Sequence, residues 1–179
     1  TSYTNIARLG KAITGEVEVS PERLASFRSQ IRVAGDVTAL ITKADPRRAG
    51  DLLDILLAGA LALGASDVHL EPQAKAIRVR YRLDGVLTDI AELPTLSYRF
   101  LLSRIKLVSE IKLNIQARGQ DGRFTIKSAE AEIEVRSSTL PGPYGENVVL
   151  RVLDPKTIAL GLAELGMQPG VEAIMAKEL

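Results

Sequence analysis

Between Ile77 and Leu83 every second residue is apolar: Ile77, Val79, Tyr81 and Leu83 share one face, and Arg78, Arg80 and Arg82 the other. A period of two is that of a β-strand buried on one side. Asp84-Gly85 follows, a dipeptide that accepts the left-handed backbone of a tight hairpin, and Val86 to Ile90 reads as the return strand. Upstream, Leu52, Leu53, Ile55, Leu56, Ala60 and Leu63 predict a helix that is apolar nearly all round and hence buried on more than one side. Asp51 is placed to cap its start, and Gly64 to take the left-handed position at its end. Val68-His69-Leu70 is a short strand stopped by Pro72. Thr95 to Leu113 predicts a long amphipathic helix, with Leu101, Ile105, Val108 and Ile111 as its stripe and Arg99, Arg104, Lys106 and Lys112 elsewhere. Asp121-Gly122 reads as a turn into a strand over Arg123 to Ile126, and Ala131 to Ser137 alternates again. Pro141-Gly142-Pro143-Tyr144-Gly145 reads as a loop, and Glu146 to Leu153 as the last strand, ended by Asp154-Pro155.

The first 44 residues read as short helices. Ser20-Pro21-Glu22 has the form of a helix start, and Leu24, Phe27 and Ile31 then fall on one face. Asp45-Pro46-Arg47-Arg48-Ala49-Gly50 breaks the pattern and predicts a boundary. Gly166 to Leu179 reads as the start of a helix with no core of its own. The expected order is therefore βββαβββ behind a helix. This is an α+β domain, with helices on one face of a mixed or antiparallel sheet, preceded by a small helical segment. The divisions expected are 1–44, 45–154 and 155–179.

Composition narrows the chemistry. The 179 residues are 46% hydrophobic and 25% charged, the balance of a globular domain. A net charge of +1 gives no global attraction to nucleic acid or anionic lipid. With no cysteine there is no thiolate chemistry, and one histidine cannot build a multi-histidine metal site. Aromatics at 4% make no stacking platform for bases. No apolar run reaches the roughly 18 residues of a membrane span, and no leader pattern opens the chain, so a cytoplasmic location is expected.

Four stretches then stand in order: GASDVHLEP from Gly64, RYRLDGVL from Arg80, QDGRF from Gln120 and GENVVLRVL from Gly145, with Arg136-Ser137-Ser138-Thr139 between the last two. Over roughly Asp51 to Leu153 the chain resembles the secretion ATPases, the assembly motors of type II secretion and type IV pili. The resemblance implies a PAS-like module that precedes an ATPase core. It also implies a hexamer that hydrolyses ATP with Mg²⁺ to drive pilin or pseudopilin assembly. The implied partners are the chain's own C-terminal core, neighbouring subunits and an inner-membrane platform protein. The implied location is cytoplasmic and peripheral at the inner membrane; from their position in the chain, residues 1–44 are expected to face the platform or another subunit. By the same resemblance Arg123 and Arg136, and after them Arg118 and Arg151, are the candidates to contact ATP phosphates. Here 114–119 is shorter than the family's stretch before Gln-Asp-Gly-Arg. A P-loop needs G-x-x-x-x-G-K-[ST], which does not occur in the sequence. The chain ends about where the family pattern leads into that loop, so it is expected to be an N-terminal part with no cofactor and no ATPase activity of its own.

Plainer readings of the same residues stand beside these. Arg136 could form a surface salt bridge with Glu132 or Glu134, worth about 0–1 kcal/mol. Arg78, Arg80 and Arg82 read as a solvated face, or one that meets an acidic patch, rather than a nucleic-acid surface. His69 reads as a half-buried structural histidine and not a metal ligand. Asp84-Gly85 and Asp121-Gly122 read as turn residues, not catalytic ones. Arg8-Leu9-Gly10, with Leu24 and Gln30, faintly resembles a cyclic di-GMP motif, and a capped helix pair is the preferred reading. The alternative from another class is a stand-alone PAS-like sensor or assembly module. A nucleic-acid motor of the conjugation type is disfavoured by the near-neutral charge.

Overall fold

The computed structural model describes residues 16–17, 21–127, 132–154, 171 and 174–175. The expectations for Arg8-Leu9-Gly10, Ser20 and most of the 155–179 tail lie outside these residues. Four helices are described: α1 (Pro21–Gln30), α2 (Ala34–Lys43), α3 (Ala49–Leu63) and α4 (Thr95–Val108). The strands are β1 (Glu16–Val17), β2 (Asp67–Pro72), β3 (Ile77–Leu83), β4 (Val86–Leu93), β5 (Gln120–Lys127), β6 (Glu132–Gly142) and β7 (Gly145–Leu153). The N-terminal segment is thus not wholly helical, because β1 adds parallel to β5.

Two antiparallel meanders, β2-β3-β4 and β5-β6-β7, join through β7 and β2 into one sheet of order β1-β5-β6-β7-β2-β3-β4. α4 carries the chain from the edge strand β4 to β5, next to β1 at the far side of the sheet. The alternation read in β3 is realised: Ile77, Val79 and Tyr81 are buried beneath the helices, while the arginines stand on the opposite face. Every residue of α3 from Leu52 to Leu61 is buried, because the sheet, α1, α2 and α4 all pack against it. Ile31, Val37 and Ile41 of the α1–α2 region join the same hydrophobic cluster as Leu70, Val79, Leu101 and Ile105. Each such side chain contributes about 1.5–3 kcal/mol on burial. Tyr81 crosses this core and donates its hydroxyl to the Leu56 carbonyl at 2.7 Å, and burial pushes its pKa up.

Four boundaries differ from expectation. α3 starts at Ala49, so Asp51 is not its cap; it sits in the first turn, ion-paired to Arg48 at 3.2 Å. α4 ends at Val108, not Leu113: Glu110 turns left-handed at φ 58° and Ile111 N–H closes back on the Lys106 carbonyl at 2.8 Å. Asp121-Gly122 is not a turn but lies inside β5, opposite Ser138 and Ser137. The expected 141–145 loop is a tight β6–β7 hairpin in which Gly142 pairs with Gly145. Asp84-Gly85 is the turn expected, with both residues at positive φ.

Candidate anion site on the open sheet face

Helices cover one side of the sheet and leave the other to polar side chains. On that open face the strand registers line up one row. Arg123 of β5 pairs with Arg136 of β6, Arg136 with Arg151 of β7, Arg151 with Asp67 of β2, and Asp67 with Arg82 of β3. Strands lie about 4.8 Å apart, so the first three arginines span about 10 Å of backbone. Three of the four arginines singled out in the sequence therefore stand side by side. Arg118 does not join them: it is exposed in the connection between α4 and β5, outside the paired strands.

The two halves of the face differ in charge balance. On β3 each arginine has an acidic neighbour. Arg78 makes a two-pronged pair with Asp89 at 2.7 Å for both bonds, Arg80 pairs with Glu71, and Arg82 lies 3.2 Å from Asp67. The Arg78 hydrogen bonds hold the Asp89 carboxyl below its usual pKa. On β5 to β7 the arginines are less compensated. Arg136 touches Glu134 at 3.0 Å but its side chain is 67% exposed, and such a pair contributes about 0–1 kcal/mol. Arg123 has no acidic partner among the described residues. Like charges directly opposite across a ladder destabilise it. An anion bound there would relieve that repulsion. Asp121, Gly122, Arg123, Glu134, Arg136, Ser137 and Ser138 line an open cleft of about 470 Å³ at this spot.

The stretch Gln120 to Arg123 builds the near end of the row. The Gln120 side-chain amide donates to the carbonyls of Lys112 and Ile115, at 3.0 and 2.9 Å, and ties down the connection from α4. Asp121 accepts a hydrogen bond from the Ser138 hydroxyl at 2.5 Å across to β6. A Cβ on Gly122 would lie 2.1 Å from the Ser109 carbonyl oxygen, so only glycine lets the end of α4 lie on the strand. Arg123 is then left on the open face. Ser109 and Ser137 share a buried hydroxyl hydrogen bond of 2.7 Å just behind. The ends of α4 and β7 are locked by Lys106 and Glu146, 2.5 Å apart and 2% and 6% exposed, and Lys106 also donates to the Ile115 carbonyl at 3.0 Å. Tyr98 donates its hydroxyl to the Glu146 carbonyl.

The sequence showed Asp67 only as part of the GASDVHLEP stretch beside His69, not as a partner of the arginines. It is buried, and burial raises its pKa. The hydrogen bonds from Arg151 and Ser66, with the charges of Arg151 and Arg82, outweigh that and hold it below the usual carboxylate value. The signal was its parity: it alternates with the inward Val68 and so shares a face with the β3 arginines. His69, two residues on, is half-buried as expected. Its Nδ1 lies 3.8 Å from Glu71, and its Nε2 is buried with no partner among the described residues. Desolvation depresses its pKa, against the raising effect of Asp67 and Glu71. No three His, Asp or Glu side chains among the described residues converge on a point that could hold a metal ion.

The family profile described as Type II/IV secretion system protein matches residues 43–179. Type IV pilus assembly ATPase PilB of Acinetobacter baylyi is 41% identical over 125 residues, which cover 69% of this chain and 22% of that protein. Type II secretion system protein HxcR of Pseudomonas aeruginosa is 38% identical over 138 residues, which cover 77% of this chain and 29% of that protein. A crystal structure of the pilus retraction motor PilT with bound ADP aligns with 64% of this chain and 32% of its own, at 21% identity and a TM-score of 0.38. The chain thus spans less than a third of the length of these relatives. With a match that runs from the last residue of α2 through the last strand and beyond, this chain belongs to the type II/IV secretion system protein family.

Proposed function

We propose that this chain is the N-terminal lever of a hexameric assembly motor, and that Arg123, Arg136 and Arg151 contact the phosphates of ATP held by a P-loop core. The observation that carries this reading is the row of three adjacent arginines in register on the sheet face that none of the described helices covers, with only an exposed Glu134 beside Arg136 and an Asp67 that Arg151 shares with Arg82. The other face is filled by Leu56, Leu70, Val79 and Leu101, all fully buried. A guanidinium is permanently charged and forked, and it binds two phosphate oxygens at once. The spread of about 10 Å suits a chain of phosphates better than a single one. Bound ATP supplies a terminal phosphoryl group whose charge, shared with Mg²⁺, must be stabilised in transfer. In this chain the arginines would bind and orient that group. The residues that hold the metal ion would lie in the core domain. Closure of the open face on nucleotide, and its release afterwards, would move residues 45–154 as a PAS-like body against the core. Residues 1–44 would face an inner-membrane platform protein or a neighbouring subunit. No helix of the described residues is long and apolar enough to cross a membrane.

The test is a titration of this chain with inorganic tripolyphosphate, followed through the NMR signals of the arginine Nε–H groups. Arg123, Arg136 and Arg151 should shift together with a Kd on the order of 1 mM, as befits one wall of a site. Arg123→Gln and Arg136→Gln should each weaken binding severalfold. Binding unaffected by both substitutions would remove the phosphate reading.

A further inference from the structure

The arginine row has one acid within it. Asp67 lies between Arg151 and Arg82 in the strand register, and its side chain is 5% exposed while that of Arg151 is 63% exposed. Its two oxygens are committed to different neighbours. Oδ1 accepts from Arg151 Nε at 2.9 Å, and Oδ2 accepts from the Ser66 hydroxyl at 2.8 Å and lies 3.2 Å from Arg82 Nε. Arg82 is held a second time, by its Nη1 donating to the Gly85 carbonyl at 3.0 Å across the hairpin turn. Among the described residues the contact to Arg151 is made at Nε alone, which leaves its two Nη groups to face a ligand.

We infer that Asp67 is a positioning residue of the anion site: it holds Arg151 by Nε so that the Nη groups stand beside Arg123 and Arg136, ready for phosphate. This rests on the phosphate reading above and adds to it a part for a buried acid that touches no ligand itself. A long exposed arginine side chain samples many rotamers, and a buried acceptor that fixes its Nε removes most of that freedom before the anion arrives. Asp67 is itself fixed, because Ser66 and Arg82 hold its other oxygen. Its carboxyl is kept ionised at neutral pH by these same neighbours.

The inference reverses the sign that charge alone would give. Removal of a carboxylate from beside the arginines makes the face more cationic, and Coulomb attraction alone would then tighten anion binding. Positioning requires the opposite. In the tripolyphosphate titration, Asp67→Asn, which keeps shape and one acceptor oxygen, should weaken binding about tenfold. It should also broaden or move the Arg151 Nε–H signal before any ligand is added. Arg151→Gln should weaken binding to a similar degree, and Asp67→Asn should add nothing in the Arg151→Gln background, because Asp67 acts through that residue. Equal or tighter binding by Asp67→Asn overturns the inference. So does a further loss of binding in the double variant. If Asp67→Asn does not fold, Arg151→Lys takes its place. Lysine keeps the charge and can pair with Asp67, but it presents no fork, so wild-type affinity in that variant overturns the inference as well. The two levels fail separately. Binding untouched by Arg123→Gln and Arg136→Gln removes the site itself, whereas binding weakened by those two but not by Asp67→Asn removes only the role of Asp67.

Discussion

Gly122 shows how much of a motif is backbone geometry. It stands in mid-strand, where glycine costs conformational entropy, and the compensation is the Ser109 carbonyl lying against it. Gly122→Ala should lower stability by about 1–3 kcal/mol or more, since the clash is with backbone that cannot rotate away. Urea unfolding checks this, and an unchanged midpoint would refute it. The dipeptide Asp121-Gly122 misled the sequence reading for a physical reason: Asp-Gly signals a turn only when the chain must reverse, and here the glycine answers a contact made by a distant helix end. Asp84-Gly85 was legible because nothing but the hairpin acts on it. His69 offers a second test at this scale, and as the sole histidine it gives one clean imidazole signal. Burial depresses its folded pKa below the free value of about 6.5. The unfolded chain therefore takes up the proton first as pH falls. The contribution of His69 is complete above about pH 6.5 and is lost as pH drops through the folded pKa. An NMR titration midpoint below 6.5 is expected, and His69→Gln should flatten the fall in stability just under that pH. Asp67 also loses its contribution on acidification, but only below the ordinary carboxylate value of 3.8, so the two limbs separate.

Among the elements, β3 and α3 were readable from their patterns because each packs in the simplest way its pattern allows. α4 was not. Its apolar stripe continues through Ile111, yet the helix stops at Val108, where Ser109 bonds to Ser137 and Glu110 turns left-handed. Helical periodicity cannot see an endpoint imposed by another strand. The lock at this end is the pair Lys106–Glu146, which the sequence reading placed on a polar helix face and simply in a strand. Both side chains are almost fully buried. Removal of one partner from such a pair leaves an uncompensated charge and costs about 3–5 kcal/mol, whereas replacement of both by apolar groups is often close to neutral. Lys106→Met and Glu146→Leu should therefore each destabilise the chain strongly, and the double variant should recover a large part of the loss. Additive losses in thermal or urea unfolding would contradict this. Lys106 also holds the Ile115 carbonyl, so the single variants should loosen the 109–119 connection and speed amide exchange there.

The arginine row is a property of the whole molecule. Its members lie at 82, 123, 136 and 151, and only the strand order β5-β6-β7-β2-β3 places them side by side. A net charge of +1 conceals it, because acids that pair with Arg78, Arg80 and Arg82 cancel the surplus on the other half of the face. Motif resemblance pointed to Arg123 and Arg136 one at a time; their adjacency, and the difference in charge balance across the face, come from the fold. That difference yields a kinetic prediction for the proposed motor. A chimaera is built in which this chain replaces the matching segment of the Acinetobacter baylyi PilB ATPase, and its ATP turnover is measured. An arginine that stabilises charge in phosphoryl transfer contributes about 10³–10⁵ in kcat when it acts at the transferred group, and less when it only binds. Arg123→Ala and Arg136→Ala should each lower kcat at least tenfold on this scale, and Arg136→Lys should not restore it, because the ammonium lacks the fork. Arg78→Ala should leave kcat within about twofold, since its guanidinium is already engaged by both oxygens of Asp89. Equal losses at Arg78 and Arg136 would mean that the face acts as a diffuse positive surface. A loss confined to Arg123 and Arg136 would mean that the strand register presents these arginines as discrete phosphate ligands.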